Sequence, residues 1–406
     1  MNRFVRILAV LPFFVPAACT SDATDEFNIP EEYLAEAESI PPYWIASTSE
    51  VNDYILNNVH KGEVELLGHS AGGRPIYAVT YGTPRSGSGT TTYSGASSIN
   101  RIAAYRGPDS GKKVYMAIAA VHGFELEGIV GIVNMISVLE TGKDLSGQPW
   151  PELEAMRDSL DRIVLVPITN PDGRDRVPIR MEKFRGSGPD AYLVHEYLNT
   201  GGLDHGKLIG WPACKEYNPV DFSAVEFPGS YPNDNGINIM HDDFFGTVQP
   251  ETRIVLDLAR RENPDILLNM HTGVSRYDYF IEVCRPCLGA YSPMHVRVWE
   301  QFYRYVHTDL TLGGFRGTMD LAKETAPKLE HTGTGAMNLT SVLSYHCGAL
   351  AVTVEDGSHG YTGVYQDGSP VNHTPEKILN AELTLHQSSM RFLLQNGGVD
   401  VWEKME

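Results

Sequence analysis

Short, uninterrupted apolar runs alternate along the chain with stretches in which apolar residues recur every three or four positions. The runs Val114–Val121, Arg162–Pro167, Asp265–Met270 and Ala349–Val354 predict strands buried on both faces. Between them, Gly128–Leu139 places Ile129, Val130, Ile132, Val133 and Ile136 at helical spacing, and Glu251–Asn263 reads as a second helix. Thr374-Pro375 has the chemistry of a helix cap and first turn, and Gly397-Gly398 of its end. Asn170-Pro171-Asp172-Gly173 is a turn, and Ser86–Ser98, rich in Ser, Gly and Thr, reads as a surface loop. No internal repeat is present. Strands alternating with helices predict an α/β sheet covered by helices on both faces.

The first residues break this pattern. Arg3 and Arg6 precede an apolar run from Ile7 to Pro16 and then Ala17-Ala18-Cys19, the order of a secretory signal over residues 1–18. The run is too short to cross a bilayer as a helix. Cys19 after two alanines resembles a bacterial lipobox, although Pro16 stands where leucine is usual. The expectation is an exported protein, either a periplasmic or cell-envelope lipoprotein tethered through lipidated Cys19 or a secreted one. Residues 19–45 form a polar tether, and 46–400 the catalytic domain. In an oxidising compartment Cys214, Cys284, Cys287 and Cys347 are expected to serve as structural disulfides, with three pairings open. Lys and Arg number 32 against 51 acids, a net charge of -19, which excludes nucleic acid as the natural partner.

Candidate chemistry gathers at the carboxyl ends of the predicted strands, where ligands collect in open α/β sheets. His122 follows the first strand, His271 the third and Glu355 the fourth. His122-Gly123-Phe124-Glu125 sets an imidazole and a carboxylate one helical turn apart. Two histidines and a glutamate would hold one zinc ion and leave a position for water, the mark of a catalytic site. Two specified positions alone arise often by chance. The other histidines, His60, His69, His205 and His295, read as hydrogen-bonded residues of the fold.

The order HxxE, NPDG, Pro250-Glu251-Thr252, His271-Thr272 and a final strand ending in Glu355 resembles the zinc carboxypeptidases related to pancreatic carboxypeptidases A and B. Gly68–Ile76 (GHSAGGRPI) is similar to the segment preceding their catalytic core, and the likeness spans residues 50–395. It implies an α/β/α sandwich around a mixed, about eight-stranded sheet. It also implies His122, Glu125 and His271 as zinc ligands and Glu355 as the general base for the attacking water. Arg185 matches the arginine that stabilises the oxyanion, with Arg176 and Arg180 competing for that role.

The likeness fails where such enzymes grip a peptide's terminal carboxylate. Their Asn-Arg pair is here Met240-His241, and a mostly neutral imidazole does not replace a bidentate guanidinium. Asp242 and Asp243 would add repulsion, and the family's aspartate behind a ligand histidine is here Asn238. No tyrosine stands near Gly333, where the family's mobile one falls, and Thr340 occupies the specificity-pocket position. An extra segment, Gly186–Asn235, reads either as a loop setting specificity or as a surface insertion. The expected function is hydrolysis of an amide bond in a peptide or amino-acid conjugate. A deacylase, esterase or cell-wall peptide amidase that ignores the terminal carboxylate is the alternative within the class. A non-catalytic binding protein on the same fold is the alternative outside it.

Overall fold

The computed structural model describes residues 29, 39–179, 189–203, 207–273, 281–284, 293–315, 337–357, 359, 362–364 and 369–404. The signal, Cys19, Thr20–Asn28, Arg180, Arg185, Cys287 and the Gly333 loop lie outside them. Among the described residues, one sheet has seven strands in the order β1-β2-β4-β3-β5-β7-β6. These are β1 (Glu63–His69), β2 (Pro75–Gly82), β3 (Val114–Ile118), β4 (Arg162–Val166), β5 (Ile266–Thr272), β6 (Ile281–Cys284) and β7 (Leu350–Asp356). A separate hairpin joins β8 (Thr362–Val364) to β9 (Pro370–Asn372). The sheet is mixed: β4, β3, β5 and β7 run parallel, while β1, β2 and β6 are antiparallel at the edges.

Every residue of β3, β4 and β5 is buried, which explains their continuous apolar character. Alternation sends Tyr115, Ile163, Leu268 and Val352 to one face, packed against helices Glu127–Thr141 and Pro375–Asn396. Met116, Ile118, Val164 and Ala351 face the other core, with helices Pro250–Glu262 and Leu339–Cys347. Trp44 and Tyr43 already pack into the first core. Thr374 caps the helix that starts at Pro375 by accepting from Lys377 N, as its sequence indicates. No helix of the described residues is long and apolar enough to cross a membrane.

Two readings need correction. Cys214 and Cys347 are free, buried thiols rather than disulfide partners; burial pushes them up to about 12 and about 11. Each sits in an apolar cluster, where a thiol behaves as a small hydrophobe. The Ser86–Ser98 stretch is not all loop, because Thr92 caps a short helix, Tyr93–Ser98, that buries Tyr93. The GHSAGGRPI segment is the bulged turn between β1 and β2.

Candidate metal and catalytic site

The site begins where β3 ends. Ala120 adopts a left-handed conformation (φ 52°), turning the chain just ahead of His122. Gly123 then lies so close to the NPDG turn that a Cβ there would stand 2.1 Å from the Gly173 carbonyl carbon, so only glycine fits. Arg174 braces the same bend by donating to the carbonyls of Gly123, Ala46 and Val177. Asn170 caps the turn through Gly173 N and donates to Val121 O. The NPDG motif is therefore a clamp on the HxxE bend. Its Asp172 also holds the β1–β2 turn, accepting from Gly72 N (2.8 Å) and Arg74 Nη1 (2.8 Å).

His122 Nδ1 lies 2.8 Å from Glu125 Oε1, and His271 Nδ1 lies 2.7 Å from Glu125 Oε2. The two Nδ1 atoms are 3.3 Å apart. All three side chains are buried, and their ligand atoms fall within 4.8 Å of one another, a group that could hold one metal ion. Two imidazole nitrogens facing one carboxylate are the donor set of a catalytic zinc site. Burial pulls His122 below its ordinary range, against Glu125. Burial would also lower His271, but Glu125 and Glu355 carry it above. Glu125 stays ionised: burial favours its neutral form, yet the two histidines hold it far below the usual carboxylate range.

Glu355 pairs across the sheet with His271, which places it beside the His122–Glu125–His271 group without belonging to it. Gly273 leaves room for it, since a Cβ there would meet Glu355 Oε2 at 2.7 Å. Asn238 adjoins His122 and pulls its pKa upward, but neither Asn238 Nδ2 nor His122 Nε2 has a well-formed hydrogen bond. Asn238 Oδ1 instead accepts from Met240 N at 3.0 Å.

The two substitute residues, Met240 and His241, part company. Met240 Sδ lies 3.5 Å from Asn269 Nδ2, which also donates to Thr340 Oγ1 at 2.9 Å. Thr340 in turn meets Thr353 Oγ1 at 2.8 Å. Asn269 and Thr353 are register partners two residues before His271 and Glu355, so this neutral cluster shares their face of the sheet. His241 sits near Trp211, ring centroids 6.3 Å apart, and Lys215 Nζ lies 3.9 Å from the Trp211 ring centroid. Burial, then Lys215, His122 and His271, depress His241 to about 3, so it is neutral near pH 7. Asp242 is spent as a cap, accepting from Asp243 N and Gln249 N.

Arg176 is not the oxyanion arginine: it donates to Gly229 O and Pro232 O and pairs with Asp234. The extra segment, by contrast, belongs to the site. Its Tyr231 ring stacks on His122 (3.5 Å between centroids, 12° between planes). Its Asn199 donates to Glu125 Oε1 at 3.2 Å. Neither residue carries a sequence signal, since no spacing links it to the motifs it meets.

Residues 60–282, more than half of the chain, match the family model described as zinc carboxypeptidase (Peptidase M14). No curated protein matches the chain. Among solved structures, a metallo-carboxypeptidase from Burkholderia cenocepacia is similar at 15% identity and a TM-score of 0.52, covering 86% of this chain and 70% of that one. A metallo-carboxypeptidase from Pseudomonas aeruginosa, solved with (2-guanidinoethylmercapto)succinic acid, is similar at 14% identity and a TM-score of 0.51, covering 86% and 70%. At such identities the structural likeness establishes the fold.

Proposed function

The chain belongs to the zinc carboxypeptidase family, and from that premise we propose that it is an exported enzyme hydrolysing amide bonds of peptides or amino-acid conjugates, with Glu355 moving the proton. The observation that carries this reading is the convergence of His122 Nδ1, His271 Nδ1 and the Glu125 carboxylate next to Glu355. His122, Glu125 and His271 are suited to hold the ion, because both imidazoles turn the same kind of nitrogen toward one ionised carboxylate. When bound, zinc supplies a Lewis acid for the substrate carbonyl and lowers the pKa of water.

Glu355 accepts a proton from the attacking water as the new C–O bond forms. It then returns that proton to the leaving nitrogen as the C–N bond breaks. Arg185 is assigned to the developing oxyanion through its place after NPDG, with Arg180 its rival now that Arg176 is committed elsewhere. Met240, Asn269 and Thr340 form the floor under the substrate side chain. Export rests on residues 1–18, and a membrane tether on Cys19.

A second reading has an observation of its own. Neutral His241 stands where the family's carboxylate-binding arginine falls, which favours a deacylase, esterase or amidase indifferent to the C-terminus. Lys215 beside Trp211 is a cation that favours the carboxypeptidase reading instead. Comparing an N-blocked dipeptide with its C-terminal amide separates them. A preference of about tenfold or more for the free acid, worth ~1.4 kcal/mol, supports the carboxypeptidase. Equal rates assign the second reading.

A further inference from the structure

The segment between the NPDG turn and Asn238 is fastened to the HxxE bend at several points. Helix Pro189–Thr200 packs Val194, Tyr197 and Leu198 around Phe124, the residue just before Glu125. Ser230 closes the other side: its carbonyl accepts from Gly123 N at 3.0 Å, and its hydroxyl oxygen accepts from Phe124 N at 2.9 Å. At the last turn of the helix lies Asn199, 3% exposed.

The orientation of the Asn199 amide follows from its partners. Ser230 N donates to Asn199 O at 3.0 Å, tying the two backbones together. The Ser230 hydroxyl, having accepted from Phe124 N, has its proton left to give, and Asn199 Oδ1 receives it at 3.2 Å. With Oδ1 taken by a donor, Nδ2 faces Glu125 Oε1 at 3.2 Å. Glu125 spends its two oxygens on the histidine side, so Asn199 is the group that fixes the carboxylate's rotation from behind.

We propose that Asn199 is a positioning residue for the metal ligand Glu125, and that the segment carrying it is a working part of the metal centre. The inference rests on the reading of His122, Glu125 and His271 as ligands. A carboxylate that must meet an ion at a set distance and angle loses affinity when it can swing, and partners behind a ligand are typically worth about 10–100-fold in metal binding. Tyr231, from the same segment, lies flat on His122, so two of the three ligands lean on it.

The test uses the full chain and zinc alone, with affinity read by competition against a chelating indicator. Asn199→Leu preserves volume and removes the donor; it is expected to weaken zinc binding about 10–100-fold while circular dichroism remains native. The absorption spectrum of the cobalt-loaded variant should shift, reporting an altered coordination geometry. Leu193→Ala, on the exposed side of the same helix, should leave zinc affinity unchanged. If the leucine variant fails to fold, Asn199→Ser is read in the same way. A folded variant binding zinc within twofold of wild type, with an unshifted cobalt spectrum, overturns the proposal. Failure of the ligand assignment is told apart by His271→Ala, which would then keep wild-type zinc affinity.

Discussion

His271 and Glu355 are cross-strand partners, opposite each other on the parallel strands β5 and β7. Neighbouring strands lie about 4.8 Å apart, so the register itself delivers a carboxylate to the side of a candidate metal ligand. The next pair, Thr272 and Asp356, points to the opposite core. One step along two strands thus separates the proposed proton-transfer group from a second buried polar cluster.

This placement makes Glu355→Gln a clean probe. The amide keeps the shape and removes the basic oxygen, while the three ligand residues stay untouched. Zinc content should equal that of wild type, and kcat should fall about 10²–10⁴-fold. Activity within a few-fold of wild type, in protein with full metal content, would show that another group takes the proton.

If the proposed floor of Met240, Asn269 and Thr340 holds the substrate side chain, it predicts selectivity. Met240, Asn269 and Thr340 carry no charge, so uncharged substrate side chains should be preferred. Thr340→Asp adds a carboxylate while keeping an acceptor for Asn269 Nδ2. The ratio of kcat/KM for lysine- over leucine-type substrates should rise at least about tenfold, or ~1.4 kcal/mol. An unchanged ratio across a peptide library would place the specificity pocket elsewhere.

The residues that were legible from sequence share one property: each ends an apolar run. His122, His271 and Glu355 stand out because β3 and β5 are fully buried and β7 nearly so, which makes the polar residues at their ends conspicuous. Edge strand β1 and its neighbour β2 escaped, since β1 is half exposed and the register breaks between Leu66 and Gly68. Asn199 escaped for a different reason. It meets Glu125 across 74 residues, through a helix whose spacing says nothing about its partner. For Cys214 and Cys347 the disulfide expectation failed on local environment: compartment rules give a prior on cysteine use, but the two lie in separate apolar clusters.

Stability should be separable from catalysis at the other end of the sheet. Asp265, just before β5, accepts from Arg106 and Arg85 and from the backbone nitrogens of Val114 (2.9 Å) and Val399 (2.9 Å). Asp265→Ala would leave two buried guanidinium groups without their carboxylate, a loss of about 3–5 kcal/mol. Denaturant unfolding should show it, while the zinc affinity of protein still folded stays at the wild-type value. A loss under about 1 kcal/mol would mean that the arginines find other partners.

The second polar cluster predicts a pH dependence of stability. Asp356 and Glu382 are both fully buried, facing each other with Glu127, Thr272 and His359 around them. Burial, reinforced by Glu382 and Glu127, holds the Asp356 carboxyl well above its usual range. Burial and Glu127 likewise outweigh the opposing influence of neighbouring Asp356 and push Glu382 up to about 7. In the unfolded chain both groups ionise near pH 4. Between those values the folded state binds more protons, so stability is greatest below the unfolded pKa and declines as pH rises through about 7. Glu382→Gln keeps the shape and cannot ionise, so it should flatten the fall in Tm between about pH 4.5 and pH 7.5. The difference from wild type should be on the order of 5 °C at the alkaline end, measured at equal metal loading. Parallel Tm curves for the two proteins would show that Glu382 does not titrate across this range.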